Sequence, residues 1–247
     1  MELLLTGKVA LVTGGGRGIG RETCILLASY GADVAVCARS ADECQEVVDL
    51  ITEQYGVRAI AVICDVGDEE AVKQAVETVE NELGKVTILI NNAGVMSLKP
   101  FTETTLEEWK WVHDINVHAP FNLSKAVVPG MIEQRDGVII NIGSIWGTKG
   151  GPNRSAYISS KHAIIGFSKA LGEELKPHGV RVNVVNPGPV DTRMIDDLGM
   201  DVDKSGWLKP IDIAHVVVDL CLPKMVAVTA ASIEAFGAGQ PIASLQK

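Results

Sequence analysis

Short apolar runs rich in β-branched residues recur along the chain: "KVALVTG", "DVAVCA", "AIAVICDV", "VTILINNAG", "GVIINIGS", "VRVNVVNPG" and "ASIEAFG". Segments of helical length and period separate the first six. That alternation builds a parallel sheet with helices on both faces, because each parallel pair needs a crossover and its helix covers a face. The runs are apolar almost throughout, so the sheet is expected to be buried on both sides. Capping boxes at Ser40 to Glu43 and Thr105 to Glu108 mark helix starts, and Gly31, Gly56 and Gly84 mark helix ends. No linker, repeat or low-complexity stretch breaks the pattern. Residues 1–247 are therefore read as one α/β domain.

Composition narrows the picture without changing it. With 247 residues and 47% hydrophobic content the chain can bury one large core. A net charge of -9, with no basic run longer than two residues, speaks against a nucleic-acid or anionic-membrane partner. The opening "MELLLTGKVALV" lacks a positively charged start and reads as a first strand rather than a signal peptide. No apolar stretch reaches membrane-spanning length. The five cysteines include no Cys-x-x-Cys, which points to reduced thiols in a cytoplasmic protein and to no metal site.

In such sheets ligands bind beyond the carboxyl ends of the strands, so chemistry is sought there. The first strand runs into "TGGGRGIG", residues 13–20, where Gly14, Gly16, Gly18 and Gly20 allow a tight turn into a helix. A helix N-terminus reached through glycines can cradle a pyrophosphate, although the same residues also make a plain structural turn. The second strand ends "VCARS". A carboxylate there would accept from an adenine-ribose hydroxyl; Cys37, Ala38, Arg39 and Ser40 stand there instead. Arg39, with Arg17 in the glycine turn, offers a 2′-phosphate two guanidinium partners, so the cofactor is read as NADP in preference to NAD. Either arginine could also be a solvated surface charge. Asp65 and Val66 follow the third strand, where they could meet an adenine ring or where Asp65 could simply cap a helix. Asn92, Ala93 and Gly94, after the fourth, form a passage of small residues for the cofactor. Pro120 lacks the N–H that would bond the carbonyl of Asn116, so that carbonyl is freed and the helix should bend, for a ligand or for packing alone. Ser144 ends the fifth strand, and Pro187 and Gly188 open a non-helical turn after the sixth. Tyr157 and Lys161 lie one helical turn apart in "AYISSKH", a spacing shared by catalytic pairs and by solvated ones.

Taken in order, the Thr-Gly-x-x-x-Gly-x-Gly turn, Asp65, "NNAG", Asn116, Ser144, Tyr157 with Lys161, and the "PG" at 187 and 188 resemble the short-chain dehydrogenase/reductase family, in particular members of the 3-oxoacyl-acyl-carrier-protein reductase type. The resemblance implies a Rossmann fold of about seven parallel strands and a Ser-Tyr-Lys-Asn active site. It makes Tyr157 the general acid in carbonyl reduction, with Ser144 holding the substrate oxygen and Lys161 binding the nicotinamide ribose. The Lys161 ammonium should also favour the phenolate in the oxidative complex. Asn116 would give its carbonyl to a water linked to Lys161, Val190 and Thr192 would hold the carboxamide, and Ile19 would pack near the ring. Trp146, Lys149, Gly150, Pro189 and Met194 are candidate substrate-pocket residues under a short lid at 193–208. Lys149, Arg154 and Arg193 are read as solvated cations that could receive an anionic group, and His162 is given no role. The implied activity is hydride transfer between NADP(H) and a ketone or secondary alcohol. A 3-oxoacyl thioester reductase and an idle cofactor sensor are the alternatives. A homo-oligomer, dimer or tetramer, is expected on the helices around 105–130 and 155–175. The family's Val-Asp-Gly-Gly type ending is replaced by "ASIEAFGAGQPIASLQK", which puts tetramer packing through the last strand in doubt.

Overall fold

Val9–Thr13 (β1) is buried at every position, and its side chains divide between two layers. Ala10 and Val12 join one core with the first, second and last long helices, whereas Val9 and Leu11 face a second core on the other side. A strand whose alternate residues enter two different cores must lie in the middle of a three-layer sandwich, which is why its sequence shows no polar alternation.

The computed structural model describes residues 3–199 and 202–237. After β1 come α1 (Gly18–Ser29), β2 (Asp33–Ala38), α2 (Ala41–Tyr55), β3 (Ala59–Ile63), α3 (Glu69–Glu82), β4 (Ile88–Asn91) and α4 (Leu106–His113). Then follow α5 (Ala119–Gln134), β5 (Gly137–Ile142), α6 (Ser155–Leu175), β6 (Val180–Pro187), α7 (Arg193–Asp196), α8 (Pro210–Cys221) and β7 (Ser232–Ala235). The seven strands form one parallel sheet in the order β3-β2-β1-β4-β5-β6-β7. α1, α2 and α8 cover one face, and α3, α5 and the end of α6 cover the other. The order reverses between β1 and β4, and the crevice above that reversal is where a ligand fits.

Local chemistry explains the boundaries. Thr105 and Glu108 form the expected reciprocal capping box at the start of α4. Gly56 ends α2 in the left-handed conformation, φ 67°, which an L side chain rarely tolerates. Two expectations need correction, and a third takes a definite form. The box at Ser40 is only half formed: Ser40 Oγ accepts from Glu43 N at 3.4 Å, but the Glu43 carboxylate turns toward Arg17 and Arg193. Burial on both sides fails for β3, which is a sheet edge and leaves Ile63 54% exposed. The bend at Pro120 takes the form of one π-helical turn, Asp114–His118, in which Ala119 N bonds Asp114 O five residues back. The final ten residues of the atypical ending, 238–247, lie outside the described residues.

Candidate active site

The glycine turn is held by its neighbour across the sheet. Thr13 Oγ1 donates to Ile90 O at 3.2 Å and accepts from Asn92 N at 3.0 Å and Ala93 N at 3.1 Å. Asn92 Nδ2 in turn donates to Thr13 O at 2.8 Å. The turn is so tight that a Cβ at Gly20 would lie 2.1 Å from Gly14 O, so no larger residue fits. α1 then begins without a side-chain cap, which leaves its first N–H groups for another acceptor.

Tyr157 and Lys161 are brought together with Ser144 by α6 running past the end of β5. Lys161 Nζ donates to Ile142 O at 2.8 Å and sits 5.6 Å from the centre of the Tyr157 ring. Ser144 accepts from Trp146 N at 3.2 Å and hydrogen-bonds the Tyr157 hydroxyl. All three are buried. Burial pushes the Tyr157 phenol above its ordinary value, with the Ser144 hydrogen bond opposing, and pushes the Lys161 ammonium down to about 8. In the free protein, desolvation therefore outweighs any pull of the lysine on the tyrosine, and the phenol is neutral.

Asn116 stands behind the pocket rather than in its wall. Its side chain clamps Val95, accepting from Val95 N at 2.9 Å and donating to Val95 O at 2.9 Å, and it donates to Ser160 Oγ at 3.0 Å. Gly94 separates it from the space above: a Cβ there would lie 3.4 Å from Asn116 Oδ1 and 3.8 Å from Lys161 Nζ. Beneath this layer a polar ladder crosses the buried sheet, from Asn91 to Asn141 at 2.7 Å and on to Ser168 at 2.8 Å.

A single cleft of about 520 Å³ gathers these groups at the carboxyl edge of the sheet. Its wall includes Gly14, Gly16, Arg17, Gly18, Ile19, Arg39, Ser40, Asp65, Val66, Asn92, Ala93 and Gly94 at one end. Ser144, Trp146, Tyr157, Lys161, Pro187, Gly188, Pro189, Val190, Thr192 and Met194 line the other. Gly20, Asn116, Lys149 and Gly150 are outside the lining. Asp65 Oδ1 accepts from Gly67 N at 3.0 Å, so this exposed carboxylate shapes its own turn. The segment at 193–208, expected as a lid, is tied at its flanks: Val190 and Leu208 form a parallel bridge, and Lys204 and Lys209 pair with Asp191, while residues 200–201 lie outside the described residues.

Several lining residues were not anticipated. Cys64, Met96, Ile115, Ile145 and Trp207 join the wall, as does Glu43. Glu43 lies 3.8 Å from Arg17 and 3.4 Å from Arg193, and Asp197 lies 3.9 Å from Arg17. The ribose end thus does contain an acceptor, contrary to the sequence reading, because the first turn of α2 packs against Gly16 and carries Glu43 inward. Arg154 also departs from expectation: it is 7% exposed rather than solvated.

The comparisons with known proteins fall on the same residues. The family model for short chain dehydrogenases matches residues 8–203. The chain belongs to the short-chain dehydrogenase/reductase family. It is therefore an oxidoreductase that moves a hydride between a nicotinamide cofactor and a carbon bearing a hydroxyl or carbonyl oxygen. Among relatives, a short chain dehydrogenase of Pseudocercospora fijiensis is 42% identical over 77% of this chain, and the match spans 62% of that relative's length. The 3-oxoacyl-[acyl-carrier-protein] reductase of Aquifex aeolicus is 36% identical over 90% of this chain and 92% of its own. The Escherichia coli enzyme of the same name is 38% identical over 79% and 78%. A dehydrogenase/reductase structure from Sinorhizobium meliloti superposes with a TM-score of 0.85 at 36% identity, covering 96% of each chain. A short-chain type dehydrogenase/reductase from Mycobacterium marinum gives 0.88 at 31%, covering 95% of this chain and 96% of that one. Among the described residues no helix is long and apolar enough to cross a membrane.

Proposed function

We propose that this dehydrogenase/reductase is an NADP-dependent reductase of a ketone, running in reverse as a dehydrogenase of the matching secondary alcohol. The observation that carries the reading is the buried group of Tyr157, Ser144 and Lys161 in one cleft with the glycine cradle. The cradle fits a dinucleotide: Gly14 and Gly20 leave no room for a Cβ, and α1 opens beside them without a side-chain cap. Bound there, the nicotinamide supplies the hydride.

The chain's own residues do the rest. Tyr157 Oη donates its proton to the substrate carbonyl oxygen as the carbonyl carbon is reduced, and takes a proton from the alcohol in the reverse direction. A phenol held neutral by burial is loaded as an acid in the free protein, which suits the reductive direction. Ser144 orients the phenol and the substrate oxygen together. Lys161, fixed by Ile142 O, supplies a positive charge beside the phenol and a donor to the cofactor ribose. Asn116 positions the backbone at Val95 and Gly94, against which Lys161 sits. Arg39, which forms no ion pair among the described residues, and Arg17 receive the 2′-phosphate. Val190, Thr192 and Ile19 fix the nicotinamide end.

Among the described residues five cations line the cleft against two carboxylates, in a chain whose net charge is -9. That inversion, with relatives named as 3-oxoacyl-[acyl-carrier-protein] reductases, favours a second reading as a 3-oxoacyl thioester reductase. The protein is further proposed to work in the cytoplasm, as one domain and as a homo-oligomer. NADPH oxidation across a panel of ketones and acyl thioesters tests the assignment. Turnover with NADPH well above NADH, and loss of that preference in Arg39→Ala, is the expected result. Equal use of both cofactors, indifferent to Arg39→Ala, would refute the NADP assignment, and turnover of no carbonyl would leave a cofactor-binding sensor.

A further inference from the structure

At the catalytic end of the cleft a cation has no anion beside it among the described residues. Arg154 precedes α6, one helical turn before Tyr157, and lines the cleft at 7% exposure. Its guanidinium carbon lies 4.9 Å from the centre of the Trp146 ring, and its one hydrogen bond is from Nη1 to Pro152 O at 2.9 Å. Among the described residues it forms no ion pair. The carboxylates that line the cleft are Glu43 and Asp65, and both stand at its other end, beside Gly16 and after β3. Glu108, on the neighbouring α4, is already paired with Lys99 at 2.7 Å. Outside the described residues the sequence carries the carboxylates of Glu2 and Asp201, and residues 238–247 contain no Asp or Glu.

A guanidinium stays charged under any physiological condition, so taking it out of water has to be balanced by partners. Stacking on Trp146 and one carbonyl leave most of its fork of donors without an acceptor among the described residues, and those donors open into the cleft instead of being sealed in the core. A packing role for Arg154 would be met as well by an uncharged side chain. Beside the guanidinium, Trp146, Met96, Met194 and Trp207 form an apolar wall.

On the proposed carbonyl chemistry, we infer that the substrate is a short oxo acid whose carboxylate pairs with the Arg154 guanidinium, while its ketone oxygen meets Tyr157 and Ser144. Trp146 carries the Arg154 guanidinium on its ring and packs with Tyr157, so a short stem joining the carboxylate to the ketone lies along Trp146. A fork of planar donors suits a carboxylate, which it can hold through two hydrogen bonds.

The test compares 4-oxopentanoate, its methyl ester, 4-oxopentyl phosphate and a neutral 3-oxobutanoyl thioester of N-acetylcysteamine, each with NADPH. Wild type is expected to reduce the acid with a kcat/KM on the order of 30-fold or more above the ester, and Arg154→Gln to lose that preference while retaining turnover of the ester. Arg154→Lys should keep part of it. Because a variant can misfold, a measurement on wild type alone is added: pentanoate should inhibit ester reduction competitively, and pentanamide far less. Ester and thioester reduced as well as the acid, with Arg154→Gln leaving the ratio unchanged, would overturn the inference and leave the reductase assignment standing. A preference for the phosphate over the acid would overturn the carboxylate. Turnover of none of the four, unchanged by Tyr157→Phe, would instead remove the reductase reading itself.

Discussion

Lys161 is kept charged in a place that resists charge. It is 5% exposed, it has one side-chain hydrogen bond among the described residues, to Ile142 O, and burial lowers its pKa from 10.5 to about 8. Below pH 8 it is protonated in both the folded and the unfolded chain, and the folded state bears the whole desolvation cost. Between about pH 8 and 10.5 the unfolded chain still binds the proton that the folded chain has lost, so stability from this group rises with pH. Replacing it with Met should therefore stabilise the protein at pH 7 by about 3 kcal/mol and abolish turnover, and the gain should shrink as pH rises through that window. Thermal unfolding at pH 7 and pH 10 checks both statements; a lower Tm for Lys161→Met at pH 7 would contradict them. Not every residue of the site was so accessible to reasoning from the sequence. The glycine turn, Ser144, Tyr157 and Lys161 were legible because each sits in a short motif at the end of a recognisable strand or helix. Glu43 and Arg154 were not. Glu43 acts through Arg193, distant in the chain, instead of completing its local capping box, and the burial of Arg154 depends on how the loop before α6 folds over Trp146.

At the scale of elements, strands and their order followed from apolar runs and intervening helices, whereas the form of the irregular pieces depended on tertiary contacts. Pro120 announced a defect in a helix, but that the defect is a π turn depends on Ala119 reaching Asp114. β3 read as a buried strand because Ala and Ile are apolar on both faces, and only its edge position exposes Ile63. The junction after β5 was likewise unreadable. Gly143 N bonds Val185 O at 2.7 Å, and a Cβ at Gly143 would stand 2.1 Å from Asn186 Oδ1. Gly143→Ala must push β5 away from β6 at the residue preceding Ser144. It should cost about 1–3 kcal/mol of stability and lower kcat more than it raises KM for NADPH. Chemical denaturation together with steady-state kinetics would show this, and a variant with wild-type stability and kcat would contradict it.

The whole molecule combines an acidic surface with a cleft of opposite sign. An anionic cofactor is then drawn to a local site against the field of the chain, and added salt weakens both effects. A second whole-molecule property is the apolar face of α4, α5 and the turn before α4. Phe101 is 76% exposed, and Leu106, Trp111 and Phe121 are exposed beside it, with Phe121 edge-on to Phe167 of α6 at 6.3 Å. These helices coincide with the region expected to hold an oligomer together. On the proposed homo-oligomer, Trp111→Glu with Phe121→Glu should convert it to a monomer in light scattering, and an unchanged mass would contradict that interface.

The central claim is that Tyr157 delivers the proton in carbonyl reduction, and replacing it with Phe tests that most directly because only the hydroxyl is lost. With a ketone that wild type reduces, Tyr157→Phe should lower kcat by roughly a thousandfold or more while NADPH binding, followed by fluorescence, stays within a few-fold of wild type. Turnover that survives the loss of the hydroxyl would contradict the account.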